Sequence, residues 1–174
     1  MVYTIGHSTR PLDDFIAILK NYAINLLVDI RTIPRSRRNP QYEQAALSKA
    51  LRDQGIAYLH MRALGGLRHA RKDSPNTAWK NDSFRGYADY MQTDEFAAAI
   101  DELVTLSKER TTVIMCAEAV PWRCHRSLFG DALLARGIEV VDILSGTSAK
   151  PHKLTSWARV EGTRITYPGQ LELG

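Results

Sequence analysis

Short apolar runs rich in valine and isoleucine alternate along the chain with longer stretches whose apolar positions recur at helical spacing. The runs at residues 2–5, 25–30, 56–61, 112–116 and 139–144 predict buried strands. Residues 11–23 predict a helix. Pro11 suits its first turn, Asp13 and Asp14 complement the positive end of its dipole, and Leu12, Phe15, Ile16 and Leu19 make one face. Asn39 and Pro40 predict the cap and first position of a helix over 41–54, stopped by Gly55. Helical spacing runs from 84 to 108, with Thr93 as a candidate second N-cap that would divide it. A helix over 121–136 is bracketed by Pro121 and Gly137, and residues 157–160 and 164–167 suit a small hairpin.

Strands alternating with helices imply an α/β fold. The expectation is a mainly parallel five-stranded sheet with helices on both faces, a Rossmann-like three-layer sandwich closed by a small C-terminal hairpin. No repeat, low-complexity tract or linker divides the 174 residues, so 1–174 reads as one domain. No stretch is long and apolar enough to cross a bilayer, and no membrane partner is expected. The first residues lack the basic and apolar regions of a signal peptide. Two cysteines without a framework around them suit reduced thiols in a cytoplasm.

In sheets of this kind ligands bind beyond the C-terminal strand ends. The residues expected at that rim are His7, Ser8, Thr9 and Arg10, Asp29 and Arg31, His60 and Arg62, Cys116 and Glu118 followed by Arg123, Cys124, His125 and Arg126, and Asp142, Ser145 and Thr147. The segment from Met115 to Arg126 carries the most chemistry. It leads from a buried strand into a helix whose free N–H groups suit an anion or a thiolate. Cys116 and Arg123 stand in a Cys-x6-Arg interval, one residue longer than the Cys-x5-Arg loop of cysteine phosphatases. Cys116 and Cys124 each suit a nucleophile, and each equally suits a small core residue. Glu118, His125 and His7 are candidate proton carriers. Ser8, Asp29, Arg31, Arg62, Arg123 and Arg126 are candidate anion-binding groups, with Asp29 and Arg31 also suited to a structural ion pair. Cys116, Cys124, His125 and Glu118 lack the Cys-x2-Cys pairs of structural zinc sites, so no metal is expected, and no cofactor is implied.

The formal net charge of +4 changes this picture little, but its distribution does. Arg31, Arg35, Arg37 and Arg38 fall in one segment. Arg62, Arg68, Arg71 and Lys72 fall in a second, the stretch 62–82, which is longer than an ordinary loop. That stretch suits a lid, a source of phosphate contacts for nucleic acid, or a solvated loop.

Several motifs now occur in order: Thr4-Ile-Gly-His-Ser8, Leu27-Val-Asp-Ile-Arg31 followed by Pro34 and Ser36, and Leu64-Gly-Gly66. Cys116-Ala-Glu118, Pro121, Cys124-His-Arg126 and Tyr167-Pro168 complete the set. Together they resemble the bacterial domain-of-unknown-function 488 family over nearly the whole chain. The resemblance implies the α/β fold and marks the same rim residues, but implies no reaction. The leading expectation is an anion-binding crevice in an enzyme that uses a cysteine thiolate on a small phosphorylated or nucleotide-like substrate. The alternative is a nucleic-acid-binding or processing protein using the basic loops 31–38 and 62–82. A domain that retains only ligand binding is the third.

Overall fold

In the computed structural model, which describes residues 1–169, the apolar runs become five strands: β1 (Val2–Gly6), β2 (Leu26–Asp29), β3 (Ala57–His60), β4 (Thr112–Cys116) and β5 (Val140–Ile143). The helically spaced stretches become α1 (Leu12–Asn21), α2 (Gln44–Asp53), α3 (Asp82–Tyr90), α4 (Asp94–Glu109) and α5 (Arg126–Ala135). The end of the expected domain, 170–174, lies outside the described residues. The sheet has six strands rather than five, in the order β3-β2-β4-β1-β5-β6. The first five are parallel, and the added edge strand β6 (Ala149–Pro151) runs antiparallel to β5. Three residues ending in a proline give no periodic signal, and an edge is where a sheet tolerates proline.

Alternation along the strands feeds two apolar layers. Leu27, Val113 and Met115 pack with Phe15 and Leu19 of α1 and Leu47 and Leu51 of α2. Leu26, Val28 and Ile114 point the other way, onto Phe96 and Ile100 of α4 and Leu128, Phe129 and Leu133 of α5. The result is the three-layer α/β architecture expected. The C-terminal hairpin is present as β7 (Arg159–Glu161) and β8 (Arg164–Thr166).

Element boundaries differ where tertiary contacts outweigh local preference. Pro40–Tyr42 forms a separate 3-10 turn, and α2 starts only at Gln44. The break turns the Tyr42 ring inward, where it stacks on His7 and donates from its hydroxyl to the Arg10 carbonyl at 2.7 Å. The long helical stretch does divide at Thr93, whose hydroxyl accepts from Phe96 N–H at 3.2 Å. Asn81 caps α3 in the same way, so that helix begins two residues earlier than the pattern predicts.

Connections fix where a ligand could lie. From β1 the chain passes through α1 to β2 on one side, whereas β4 connects through α5 to β5 on the other side of β1. The adjacent C-terminal ends of β1 and β4 therefore form a topological switch point, with Gly6 opposite Cys116.

The segment 62–82 is ordered by one buried carboxylate. Asp89 of α3 accepts from Arg71 N–H at 2.8 Å, from the Ser74 hydroxyl at 2.5 Å and from the Asn76 amide at 2.7 Å. Asn76, fully buried, also accepts from Tyr167 N–H at 2.9 Å. Asp89→Ala is expected to cost about 2–3 kcal/mol by stranding these donors. Limited proteolysis should then cut between residues 67 and 80. A variant with unchanged cleavage would show that the segment is held some other way.

Candidate functional site

Gly6 explains how the loop after β4 reaches the switch point. The loop folds so closely over β1 that a Cβ at Gly6 would overlap the Glu118 carbonyl. His7 N–H and Ser8 N–H donate to the Cys116 and Ala117 carbonyls, each at 2.9 Å. Ser8 holds a left-handed φ of 52°, a conformation that costs a non-glycine residue of order 1–3 kcal/mol and needs such outside support.

Arg126 secures the loop from beneath. Its fully buried guanidinium donates to the carbonyls of Glu118 and Ala119 at 3.3 Å and to the Thr4 hydroxyl at 3.2 Å. The Thr4 hydroxyl in turn donates to Asp142 at 2.5 Å. Arg126 is thus committed to holding backbone.

The expected helix over 121–136 does not form as one piece. Pro121–Arg123 is a 3-10 turn, Cys124 is extended (φ −136°, ψ 150°), and α5 begins at Arg126. Arg123 therefore projects from the turn, exposed, rather than from a first helical turn. The extended Cys124 places its thiol in the cavity that Cys116 also lines. Both cysteines are free.

A cavity of about 330 Å³ opens over these thiols, walled by Arg31, Arg35, Glu118, Arg123, His125 and the Gly66–Leu67 turn. Gly66 is needed there because a Cβ would collide with the His125 ring. Burial pushes the Cys116 thiol up. The hydrogen bond from Cys124, the charge of Arg126 and the Glu118 backbone outweigh it, and the Cys116 pKa falls below the ordinary thiol value. Cys124 is pushed well above that value by its bond to Cys116 and by burial. Burial lowers His125 to about 4 despite the opposing Ile30 and Leu64 backbone groups, so its ring is neutral at pH 7. Its Nδ1 lies 3.4 Å from the Cys124 sulfur.

The candidate residues thus separate by place. Arg31, Cys116, Glu118, Arg123, Cys124 and His125 line the cavity, whereas His7, Ser8, Asp29, Arg62 and Arg126 are not among its lining residues. Asp29 holds Arg31, accepting from Nη2 at 2.7 Å and from Nε at 2.9 Å, and Tyr58 donates to the same carboxylate at 2.6 Å. Arg31 Nη1 is left buried without a partner. His7 has its Nδ1 bonded to the Ser8 carbonyl at 2.7 Å, and burial lowers its pKa to about 4. Arg62 lines a neighbouring cavity that shares Thr32, Ile33 and Arg35 with the first. Arg35, Leu67 and Phe84 were not expected at the site. Arg35 carried a signal, in the basic run just after β2; Leu67 and Phe84 carried none.

The family model for a domain of unknown function, DUF488, matches residues 11–133. The chain belongs to this family. The DUF488 match contains β2 through β4, the 62–82 segment and the entire Met115–Arg126 stretch, and leaves out β1 with its Gly6-His7-Ser8 motif. No curated protein and no solved structure matches the chain.

Proposed function

We propose that this DUF488 protein is an enzyme that binds a small anionic substrate in the arginine-lined cavity and attacks it with the Cys116 thiolate. The observation that carries the reading is the placement of both thiols in one cavity with Arg31, Arg35 and Arg123 around them. Arginine forks suit phosphate or carboxylate oxygens, and a thiolate inside an electropositive wall is the reactive form of cysteine. Cys116 supplies the electron pair to the substrate's electrophilic atom, and the leaving group departs with the pair of the broken bond. Cys124, whose thiol is pushed well above the ordinary value, keeps its proton beside His125 Nδ1. Neutral His125 offers an acceptor nitrogen instead of a second positive charge. Asp29 and Arg126 are positioning residues, the first for Arg31 and the second for the loop that carries Cys116.

The alternative, a nucleic-acid strand held by loops 31–38 and 62–82, is weakened because two cations of the second loop are engaged within the chain. Arg68 sits 3.6 Å over the Tyr90 ring and Arg71 pairs with Asp73 at 3.1 Å.

Alkylation tests the proposal. Below pH 8, anionic iodoacetate should modify Cys116 alone, about tenfold faster relative to neutral iodoacetamide than it modifies a free thiol. Inorganic phosphate should slow the reaction, and Arg123→Ala should remove most of the preference. Thiols that react only after denaturation would overturn the nucleophile; a rate indifferent to phosphate and to Arg123 would overturn the anion site.

A further inference from the structure

All three tryptophans of the chain, Trp79, Trp122 and Trp157, line one second cavity of about 760 Å³. They come from distant points in the sequence, and no secondary structure obliges them to meet. Trp122 is 65% exposed and Trp157 is 48% exposed, so core packing does not account for them. Trp79 makes an edge contact with Trp157 at 5.3 Å between centroids, and its own Nε1 is buried without a partner. Lys150 and Lys153 also line this cavity, together with the buried carboxylate of Asp142. Planar apolar faces, an unpartnered indole N–H and cations at one opening suit a heteroaromatic ring attached to an anion.

The two cavities are neighbours. Trp122 lines the second and Arg123 lines the first, and they are consecutive residues of one 3-10 turn, with Cα atoms about 3.8 Å apart. A second link is the edge contact, 5.3 Å between centroids, of Trp79 in the second cavity with Phe84 in the first. The 3-10 turn and the Trp79–Phe84 contact thus join a cationic, thiol-bearing cavity to an aromatic one. We infer that the tryptophan cavity takes the base of a nucleotide whose phosphate lies in the arginine-lined cavity beside it. The phosphate half of this inference rests on the anion reading proposed above; the base half does not. The nucleotide is either free or a unit of a single strand, since stacking on tryptophan serves both.

With every tryptophan in the cavity, intrinsic fluorescence reports on it without background. Adenosine 5′-monophosphate should quench the emission. Adenosine should quench it about tenfold more weakly, and inorganic phosphate should displace the monophosphate without quenching. Trp122→Ala, at an exposed position, should weaken monophosphate binding about tenfold and leave calorimetric phosphate binding unchanged. Trp157→Ala should act in the same direction. Arg123→Ala should weaken the monophosphate and phosphate together. A short single-stranded oligodeoxyadenylate that binds far more tightly than the monophosphate identifies a strand as the source; equal affinity identifies the free nucleotide. If phosphate binds but no nucleotide quenches, or if Trp122→Ala binds the monophosphate normally, the base site is overturned and the anion site stands. If adenosine quenches while phosphate fails to bind, the anion site falls and the base site remains.

Discussion

Gly6→Ala is expected to destabilise the protein by about 4 kcal/mol or more, and to silence Cys116 towards iodoacetate even in the fraction that folds. The reason is the backbone, which cannot swing aside as a flexible side chain would. The added methyl would overlap the Glu118 carbonyl, which also accepts from Arg126 at 3.3 Å. Moving the loop away to admit it would break the His7 and Ser8 bonds to the Cys116 and Ala117 carbonyls. It would also lift the loop from the buried Arg126 guanidinium and leave that charge with fewer acceptors. Denaturant unfolding gives the stability, and mass mapping of the alkylated protein gives the thiol. A variant of near-native stability with Cys116 still reactive would mean that the loop does not need its tight seat on β1.

Much of this architecture was legible because buried parallel strands leave a simple mark. Residues 112–116 are apolar or small and fully enclosed, and the predicted and observed limits of β4 coincide. Thr93 and the acidic first turn of α1 were equally readable, since capping and dipole effects act within a few residues. The start of α5 was not. Pro121 resembles a helix start, yet the chain must run extended at Cys124 to bring the two thiols together and send Arg126 beneath the loop. Long-range geometry decides that segment, and local propensity cannot report it.

The arginines teach the same lesson about the site. Arg31, Arg123 and Arg126 look alike in the sequence as anion ligands. Arg123 is exposed at the cavity mouth, Arg31 is tied to Asp29 while leaving Nη1 free, and Arg126 is spent on carbonyl groups. Burial separates these roles, and burial of an arginine depends on which distant carbonyls fold over it. The tryptophan cavity was invisible for a related reason. Residues 79, 122 and 157 share no periodicity, and only the closing of 150–157 against α5 and the 3-10 turn gathers them.

Stability should peak near pH 6.5, because three histidines, His7, His125 and His152, are perturbed in opposite directions. His152 bridges Asp142 at 2.9 Å and Asp131 at 3.0 Å. Burial opposes its charge, but the two carboxylates outweigh burial and raise its pKa to about 9. A histidine raised above its unfolded value of about 6.5 contributes fully below that pH and loses the contribution as pH climbs through 9. The loss amounts to about 3 kcal/mol between pH 6.5 and 9. His7 and His125, both lowered to about 4 by burial, do the reverse. Below pH 6.5 the unfolded chain takes up protons that the folded chain refuses, so stability falls by about 1.4 kcal/mol per pH unit for each ring. His152→Asn isolates one limb. At and below pH 6.5 it should be less stable by about 3–5 kcal/mol, because Asp131 and Asp142 lose the cation between them, and the deficit should shrink by about 3 kcal/mol towards pH 9. Its stability should no longer decline from pH 6.5 to 9, while the acid limb should keep its slope. Urea midpoints at half-unit pH intervals measure both limbs. A wild-type profile flat above pH 6.5, or an alkaline decline that survives in His152→Asn, would show that the imidazolium does not bind this end of the sheet together.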